Sequence, residues 1–233
     1  MKKKFSLRTF FLSIPKCFFL FLFLWIPQTG HAQYADLWSW NYVTLTGKIS
    51  PAWEVRLSEE LRYDDPFSDL AKYFTQAELI YSPVKFLTLE GTYRNIRDRR
   101  KDGSWEKLHR LHFSVEAGKK FGRFSPAYRL RWQNYPDAWN SDKTTYFYLR
   151  HKLSLKWDIP NCKINPEFSA EFFHRFNDNR TNELATLRFS IKSSYKFNQH
   201  HRIIFGLHKQ YEYDEKTPEN AWIIRIGYRY DLF

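Results

Sequence analysis

The chain has 233 residues, a formal net charge of +12 and a sequence pI near 9.6. Such a basic chain could suit nucleic acid, but its N-terminal segment indicates export and the remainder has no block of six or more Lys/Arg residues, which excludes that partner. No domain linker, internal repeat or low-complexity tract is visible, so the composition indicates one domain.

Residues 1–32 have the pattern of a cleavable secretory signal. Lys2, Lys3, Lys4 and Arg8 supply a positive start, an uninterrupted apolar run follows at 18–26, and small residues stand at Gly30 and Ala32. A membrane-spanning helix needs about 20 apolar residues, so an uncleaved anchor is the weaker alternative. Cys17 precedes the apolar run instead of following it, which argues against a lipoprotein.

Removal of this segment leaves residues 33–233 as a single predicted domain beginning at Gln33. The segment carries five basic residues and no acidic residue, so its removal lowers the formal net charge from +12 to +7. Cys162 is then the one remaining cysteine, and we predict no intrachain disulfide.

The remainder of the chain reads as strands, because runs of period-two alternation recur between turns. In the clearest run, the alternate residues from Ala185 to Ile191 are apolar and those from Thr186 to Lys192 are polar. No apolar stripe of helical period competes, so the predicted helix content is close to nil. Strands are predicted at 37–47, 52–63, 70–82, 86–97, 110–117, 124–134, 147–157, 163–175, 185–197, 201–213 and 220–232.

Alternation alone does not say whether the apolar face points into a barrel, as in lipocalins, or out towards lipid. Many of the predicted strands exceed the usual 5–6 residues or so of soluble proteins and suit the roughly 9–11 of a tilted membrane strand. Aromatic residues, 20% of the chain, crowd the strand ends, where membrane barrels place theirs. We therefore predict a closed antiparallel transmembrane β-barrel of about 10–12 strands in the bacterial outer membrane.

Turn lengths predict the two sides of this barrel. Short links at 82–85, 122–123, 159–162 and 198–200 are expected in the periplasm, and longer links at 64–69, 98–104, 135–143, 177–182 and 214–219 outside the cell. The strand at 37–47 would be an eleventh, although bacterial single-chain barrels have even strand numbers. Either this segment lies partly inside the barrel or a strand boundary is misplaced.

The last strand predicts one partner. Arg225-x-Gly227-x-x-Tyr230-x-Leu232, followed by the terminal Phe233, fits the pattern that the barrel-assembly machinery reads, although Phe233 is out of step with the apolar face. Outer-membrane lipids and lipopolysaccharide are the other expected partners, the latter through the basic segment 97–101, for which a solvated turn is the simpler interpretation. The barrel is expected to be a monomer that binds no nucleic acid.

The polar face would collect charged residues around the barrel axis. Because an unpartnered charge away from water is costly, a structural network of ion pairs is the leading interpretation, and an anion pathway or ligand pocket is the alternative. The residues predicted to face inward are Glu54, Arg56, Glu60, Arg62, Glu78, Arg94, Arg110, Glu116, Arg129, Arg131, Arg150, Glu167, Glu171, Arg175, Arg188, Glu212, Arg225 and Arg229.

No catalytic, cofactor-binding or metal-binding residue is predicted. His112 and Ser114 have the spacing of a nucleophile and its base on one strand face, but that face is expected to point into the lumen, away from lipid. Other pairings considered as metal ligands are His208 with Glu212, and Glu171 with His174, which an odd separation places on opposite faces.

Several separated motifs carry a family resemblance. These are Asp36-Leu37-Trp38, Trp53, Leu61-Arg62-Tyr63, Arg129-Leu130-Arg131-Trp132-Gln133 and Arg225-x-Gly227-Tyr228-x-Tyr230. Together they resemble the domain-of-unknown-function 2490 family of bacterial outer-membrane β-barrel proteins. The resemblance implies an outer-membrane barrel without an established activity, so it transfers no functional residues.

The leading hypothesis is a non-enzymatic protein of the Gram-negative envelope, acting in adhesion, envelope integrity or narrow-pore transport. A lipid-modifying enzyme, either a lipid hydrolase or a deacylase, is the alternative, and its active site would use outward-facing or rim residues.

Overall fold

The structure is a computed structural model that describes residues 36–65, 68–100, 102–135, 146–177, 180–213 and 220–232. The signal segment 1–32, Phe233 and most of the links at 135–145 and 213–219 lie outside these residues. No helix among the described residues is long and apolar enough to span a membrane.

Eleven strands close into one barrel, which confirms the predicted all-β class. In chain order they are β1 (Asp36–Lys48), β2 (Trp53–Asp65), β3 (Asp69–Val84), β4 (Leu87–Arg99), β5 (Trp105–Gly118), β6 (Phe124–Asn134), β7 (Tyr146–Trp157), β8 (Glu167–Asn177), β9 (Arg180–Lys196), β10 (His201–Glu212) and β11 (Asn220–Asp231).

Ten neighbouring pairs are antiparallel, and the barrel is closed by a parallel pair between β1 and β11. The register of this pair runs from Asp36 opposite Ala221 to Thr46 opposite Asp231. The prediction of an antiparallel barrel is therefore corrected at this one seam. An odd number of strands in an up-and-down order leaves the first and last strands pointing the same way, and a parallel ladder satisfies their backbone groups. The segment 37–47 therefore lies in the barrel wall as β1, and neither an interior placement nor a misplaced strand boundary is needed to explain it.

The barrel has two rims. The N-terminal rim, where β1 begins, carries the links 66–68, 100–104, 135–145, 178–179 and 213–219, and the C-terminal rim, where β11 ends, carries 49–52, 85–86, 119–123, 158–166 and 197–200. The predicted contrast in length is wrong in part. The link 158–166 on the C-terminal rim is longer than 178–179 opposite, because Pro160 and Pro166 delay the start of β8 and Asn161 adopts a positive φ of 58°.

The apolar face points outward. Val43 (50% exposed), Leu57, Phe113 (57% exposed) and Phe205 are accessible on the outer wall. By contrast, charged residues of the opposite face such as Glu60, at 3% exposure, are enclosed by the barrel. This orientation excludes a lipocalin-like barrel, whose apolar face lines the interior.

Cys162 lies in the link 158–166 at the C-terminal rim. The prediction of no intrachain disulfide concerns the chain after removal of residues 1–32, and it stays a prediction. The other cysteine of the sequence, Cys17, lies outside the described residues.

Candidate functional site

The lumen is the candidate functional site, because it concentrates the charged side chains of all eleven strands. Strand register places every residue predicted to face inward on this surface, from Glu54 on β2 to Arg229 on β11. Charged residues can be buried there because they form ion pairs and hydrogen bonds with one another.

Three glutamates act as carboxylate hubs, each binding arginine across an intervening strand. On β2, Glu60 accepts from Arg62 Nε at 2.7 Å and, across β1, from Arg225 Nη2 at 2.9 Å. On β8, Glu171 accepts from Arg150 Nη2 at 2.9 Å and, across β7, from Arg129 Nη2 at 2.9 Å. The Glu171 hub thus links three consecutive strands, and the Glu60 hub links β2 to β11 across β1 and its parallel seam.

The third hub is Glu90 on β4, which the sequence analysis did not include among the inward residues. Its Oε1 accepts from Arg131 Nη2 at 2.8 Å across β5, lies 3.2 Å from His112 Nε2, and accepts from Thr92 Oγ1 at 3.0 Å. Period-two alternation through Thr88, Thr92 and Arg94 would have placed Glu90 on the inner face.

Two arginines each bond to their own glutamine on a neighbouring strand, with the same geometry. Arg94 donates through Nε and Nη2 to Gln76 Oε1, and Arg188 donates through Nε and Nη2 to Gln210 Oε1. Each glutamine then donates to the glutamate two residues later on its own strand. A neutral amide satisfies the donors of each guanidinium but does not neutralise its charge.

Guanidinium groups and aromatic rings alternate in a stack that crosses the lumen, which we call the arginine–aromatic belt. Its members, in order of contact, are Arg94, Phe74, Arg62, Trp40, Arg188, Phe173 and Arg150, with guanidinium-to-centroid distances of 3.6 to 5.0 Å. Trp40 on β1 and Arg188 on β9 are separated along the wall by β10 and β11. Their contact therefore passes through the interior and obstructs it.

The inward aromatic residues of the belt were missed by the sequence analysis. The signal was present in the doublets Tyr73-Phe74 and Phe172-Phe173, because adjacent strand residues point to opposite faces and one ring of each doublet must face inward. A buried ring beside a guanidinium is stabilised by the cation–π interaction, which explains why these rings tolerate so charged a surface.

Polar cavities lie between the belt and the C-terminal rim. One of about 340 Å³ is lined by residues that include Lys48, Glu54, Glu116 and Arg129. A second, of about 500 Å³, lies beside the link 197–200 at the rim itself. A third, of about 180 Å³, shares the lining residue Arg56 with the first and Arg229 with the second.

His112 and Ser114 both lie in the lumen, as predicted, and are buried at 1% and 4% exposure. Their partners differ: His112 contacts Glu90, whereas Ser114 Oγ accepts from Arg131 Nε at 2.9 Å. The i, i+2 spacing on the strand therefore does not produce a bonded nucleophile and base.

A different serine–histidine contact is present across β9 and β10. Ser190 Oγ lies 2.6 Å from His208 Nδ1, and the two residues are direct cross-strand partners. His208 Nε2 is buried without a hydrogen-bond partner among the described residues. The sequence analysis missed this pair because its members are 18 residues apart and only the register brings them together.

The side chains considered as metal ligands do not converge. Register places Glu171 opposite Lys152 and Arg188 in the lumen, whereas His174 lies on the outer wall in ring contact with His151. Across the described ranges, no group of three or more His, Cys, Asp or Glu residues could hold a metal ion.

The basic segment 97–101 is partly neutralised at the N-terminal rim. Arg99 lies on β4 and contacts Asp69 at 2.5 Å, and Arg100 contacts Glu106 at 2.7 Å. The hydrogen bond that Arg100 donates to the Glu106 carboxylate raises the pKa of Arg100. At the opposite rim, the hydrogen bond from Lys120 lowers the pKa of Asp158 in the same manner.

Comparison with known proteins gives a family. No curated protein matches the sequence. A family model described as "Protein of unknown function (DUF2490)" matches residues 38–221, which run from β1 into β11 and include all three carboxylate hubs. Since this match covers most of the chain, the protein belongs to the DUF2490 family.

Proposed function

We propose that this protein is a monomeric barrel of the Gram-negative outer membrane, exported by residues 1–32, with a non-enzymatic role in the envelope and a lumen that is closed to free diffusion. One observation carries the proposal: a closed barrel exposes its apolar face all around its outer wall. Soluble monomers rarely expose contiguous apolar patches larger than a few hundred Å², and a band of outward apolar residues is what a membrane barrel presents to lipid.

The outer wall supports lipid as the main partner. Exposed apolar side chains lie on successive strands around the barrel, where acyl chains would cover them. Examples are Val43, Leu57, Leu79, Tyr93, Phe113, Tyr128, Leu153, Phe168, Phe189 and Phe205. Aromatic residues near the rims, such as Trp53 stacked on Tyr81 and Phe124 stacked on Trp157, suit the headgroup zone. Lipopolysaccharide would meet the remaining positive charge near residues 97–100.

The arginine–aromatic belt favours a structural role for the protein rather than the role of an open pore. Four guanidinium groups and three rings stack across the interior, and the carboxylate hubs brace the wall on either side of them. A barrel of about this strand number is mostly filled by side chains. We therefore expect the protein to contribute to the envelope as a rigid, sealed cylinder.

Membrane location is tested by expressing the full chain in a Gram-negative host and separating the envelope fractions. We expect recovery in the outer-membrane fraction, extraction only by detergent, and a band that shifts on a gel when the sample is heated. Recovery as soluble protein without detergent, together with no heat-dependent shift, would overturn the proposal.

The sealed lumen is tested in planar bilayers with a matched pair of adjacent residues. We expect no reproducible current steps for the natural protein or for Phe172→Ala, which alters the outer wall. Phe173→Ala removes a ring from the belt and is expected to produce measurable steps. Equal conductance in all three proteins would contradict the role of the belt.

A second candidate function rests on the 2.6 Å contact between Ser190 and His208, which is the nucleophile-and-base arrangement of a hydrolase. The pair lies in the lumen and His208 Nε2 has no carboxylate partner among the described residues, so we place it second. A lipid hydrolase assay on refolded protein decides the matter. Activity lost in Ser190→Ala but kept in Ser193→Ala, an outward serine of the same strand, would establish the enzyme.

A further inference from the structure

The 500 Å³ cavity at the C-terminal rim has an unbalanced charge. Four of its lining residues are basic, namely Lys48, Lys196, Arg202 and Arg229, and one, Asp231, is acidic. The lining therefore carries a formal surplus of three positive charges. Glutamate hubs supply the counter-charge deeper in the lumen, but no such hub is found among the lining residues here.

The arginines of this cavity are directly opposed. Arg202 on β10 and Arg229 on β11 are cross-strand partners, and like charges facing each other in a sheet repel. Asp231 Oδ1 accepts a hydrogen bond from Arg229 Nε at 2.6 Å. The Asp231 carboxylate lies 3.9 Å from the Arg202 guanidinium, which is a weaker contact. Arg202 is therefore the less neutralised of the two.

Two buried polar atoms at this cavity lack partners among the described residues. Thr46 is 2% exposed, and its Oγ1 has no hydrogen bond; the Nε of Arg202 is likewise buried without an acceptor. Buried donors are almost always satisfied in folded proteins. Two such donors beside surplus positive charge suit an acceptor group of negative charge.

We propose that this cavity binds a phosphate-bearing anion that enters from the C-terminal rim. Guanidinium and ammonium groups both bind phosphate, the former through paired donors and the latter as a point charge. A phosphate monoester carries a charge of roughly −2, which suits the surplus better than a single carboxylate does. The cavity leaves room for more than one phosphate group. This site lies inside the lumen, so it does not depend on the location of the barrel.

Titration calorimetry of the folded, detergent-solubilised protein with inorganic pyrophosphate tests the site. We expect saturable one-to-one binding that weakens as salt is added. Arg202→Gln and Lys196→Gln should each weaken binding about tenfold, because each removes a charge-assisted contact. Lys85→Gln is the matched control: it removes the same charge from the same rim, in the link 85–86, outside the cavity. The heat-dependent gel shift confirms that each variant is folded.

A second arm uses dihexanoyl phosphatidic acid, which carries the same phosphate on a short lipid. Tighter binding of this lipid than of pyrophosphate would identify a headgroup as the natural source, and weaker binding a soluble phosphate compound; both uphold the site. The absence of saturable binding of either probe at millimolar concentration would overturn the proposal. Equal weakening in Lys85→Gln would do the same, because binding would then reflect only the general charge of the rim.

Discussion

The two faces of β2 show how differently one strand is used. Its inner face carries Glu54, Arg56, Glu60 and Arg62, all engaged in ion pairs. Its outer face presents Val55, Leu57 and Leu61, all exposed. Inner residues are stabilised by named partners at defined distances, whereas outer residues require only an apolar surrounding.

This contrast implies that substitutions on the inner and outer faces should destabilise the barrel for different reasons. A change inside leaves a specific charge unpaired, so its effect depends on which partners remain. In the proposed membrane location, a change outside alters transfer between water and lipid, so its effect should depend on depth in the bilayer. The following predictions test this difference through the free energy of unfolding, measured by urea titration of the barrel in lipid vesicles with tryptophan fluorescence.

The largest loss in the free energy of unfolding is expected for Glu60→Gln, on the inner face. Removing this charge leaves Arg62 and Arg225 without their carboxylate at the seam, and breaking a buried pair destabilises by about 3–5 kcal/mol. Glu59→Gln changes the same group on the next residue, which is exposed on the outer wall, and should change stability by less than about 1 kcal/mol. Similar losses in both variants would show that the hub adds nothing specific.

On the outer face, Leu57→Arg is expected to lower the free energy of unfolding by about 2–4 kcal/mol, since a cation would enter the middle of the apolar band. Ile49→Arg makes the same type of change in the link 49–52 at the C-terminal rim, where the loss should be about 0–1 kcal/mol. If both variants are as stable as the natural protein, the outer face does not contact lipid.

A pair of glycines compares packing on the two faces. A Cβ at Gly227 would overlap the Tyr42 ring, which lies over this glycine inside the parallel seam. At Gly91, by contrast, a Cβ would lie 3.5 Å from Phe113 on the outer wall, an ordinary contact. Gly227→Ala should therefore destabilise by about 1–3 kcal/mol through overpacking, and Gly91→Ala by much less. Closure of the barrel is followed by the heat-dependent gel shift. A larger effect at Gly91 would contradict the assigned faces.

The smallest change in the free energy of unfolding is expected at Glu59, an acidic residue in the middle of the outward face of β2. It accepts a hydrogen bond from Thr75 Oγ1 at 2.5 Å but has an apolar surrounding otherwise. Glu59→Leu should raise the free energy of unfolding by up to about 1 kcal/mol, because carboxylates cost less than cations in such positions. A loss greater than 1 kcal/mol would indicate instead that a polar partner covers Glu59.

Strand positions were largely predictable from the sequence, because alternation over long runs leaves little choice of structure. The predicted strand 124–134 coincides with β6, whereas 163–175 begins four residues before β8. The start of β8 was missed because Pro166, which has no N–H to donate to a ladder, delays the pairing. The direction of the closing pair was not predicted, since an empirical preference for even strand numbers was given more weight than the eleven runs themselves.

Most of the inward-facing charged residues were predicted, Glu90 excepted, but their partners were not. Glu171 and Arg129 are 42 residues apart, and Glu60 and Arg225 are 165 apart. These pairs depend on the register of three strands at once, and a shift of one residue would turn either side chain to the other face. The rim cavity was anticipated only in general terms, as a ligand pocket lined by surplus arginine, because its boundary is set by the link 197–200 and by the seam.

The parallel seam also bears on how the protein can be re-engineered. In a barrel with an even number of strands, the first strand begins and the last strand ends at the same rim. A few residues can therefore join the two ends, and new termini can be placed in another link. Here β1 begins at one rim and β11 ends at the other, and the strands themselves are 12 or 13 residues long. At about 3.3 Å per residue, a circular permutant would need a connector as long as the barrel is tall. Reporter domains fused before Asp36 and after Asp231 would consequently emerge on opposite sides of any bilayer the barrel occupies.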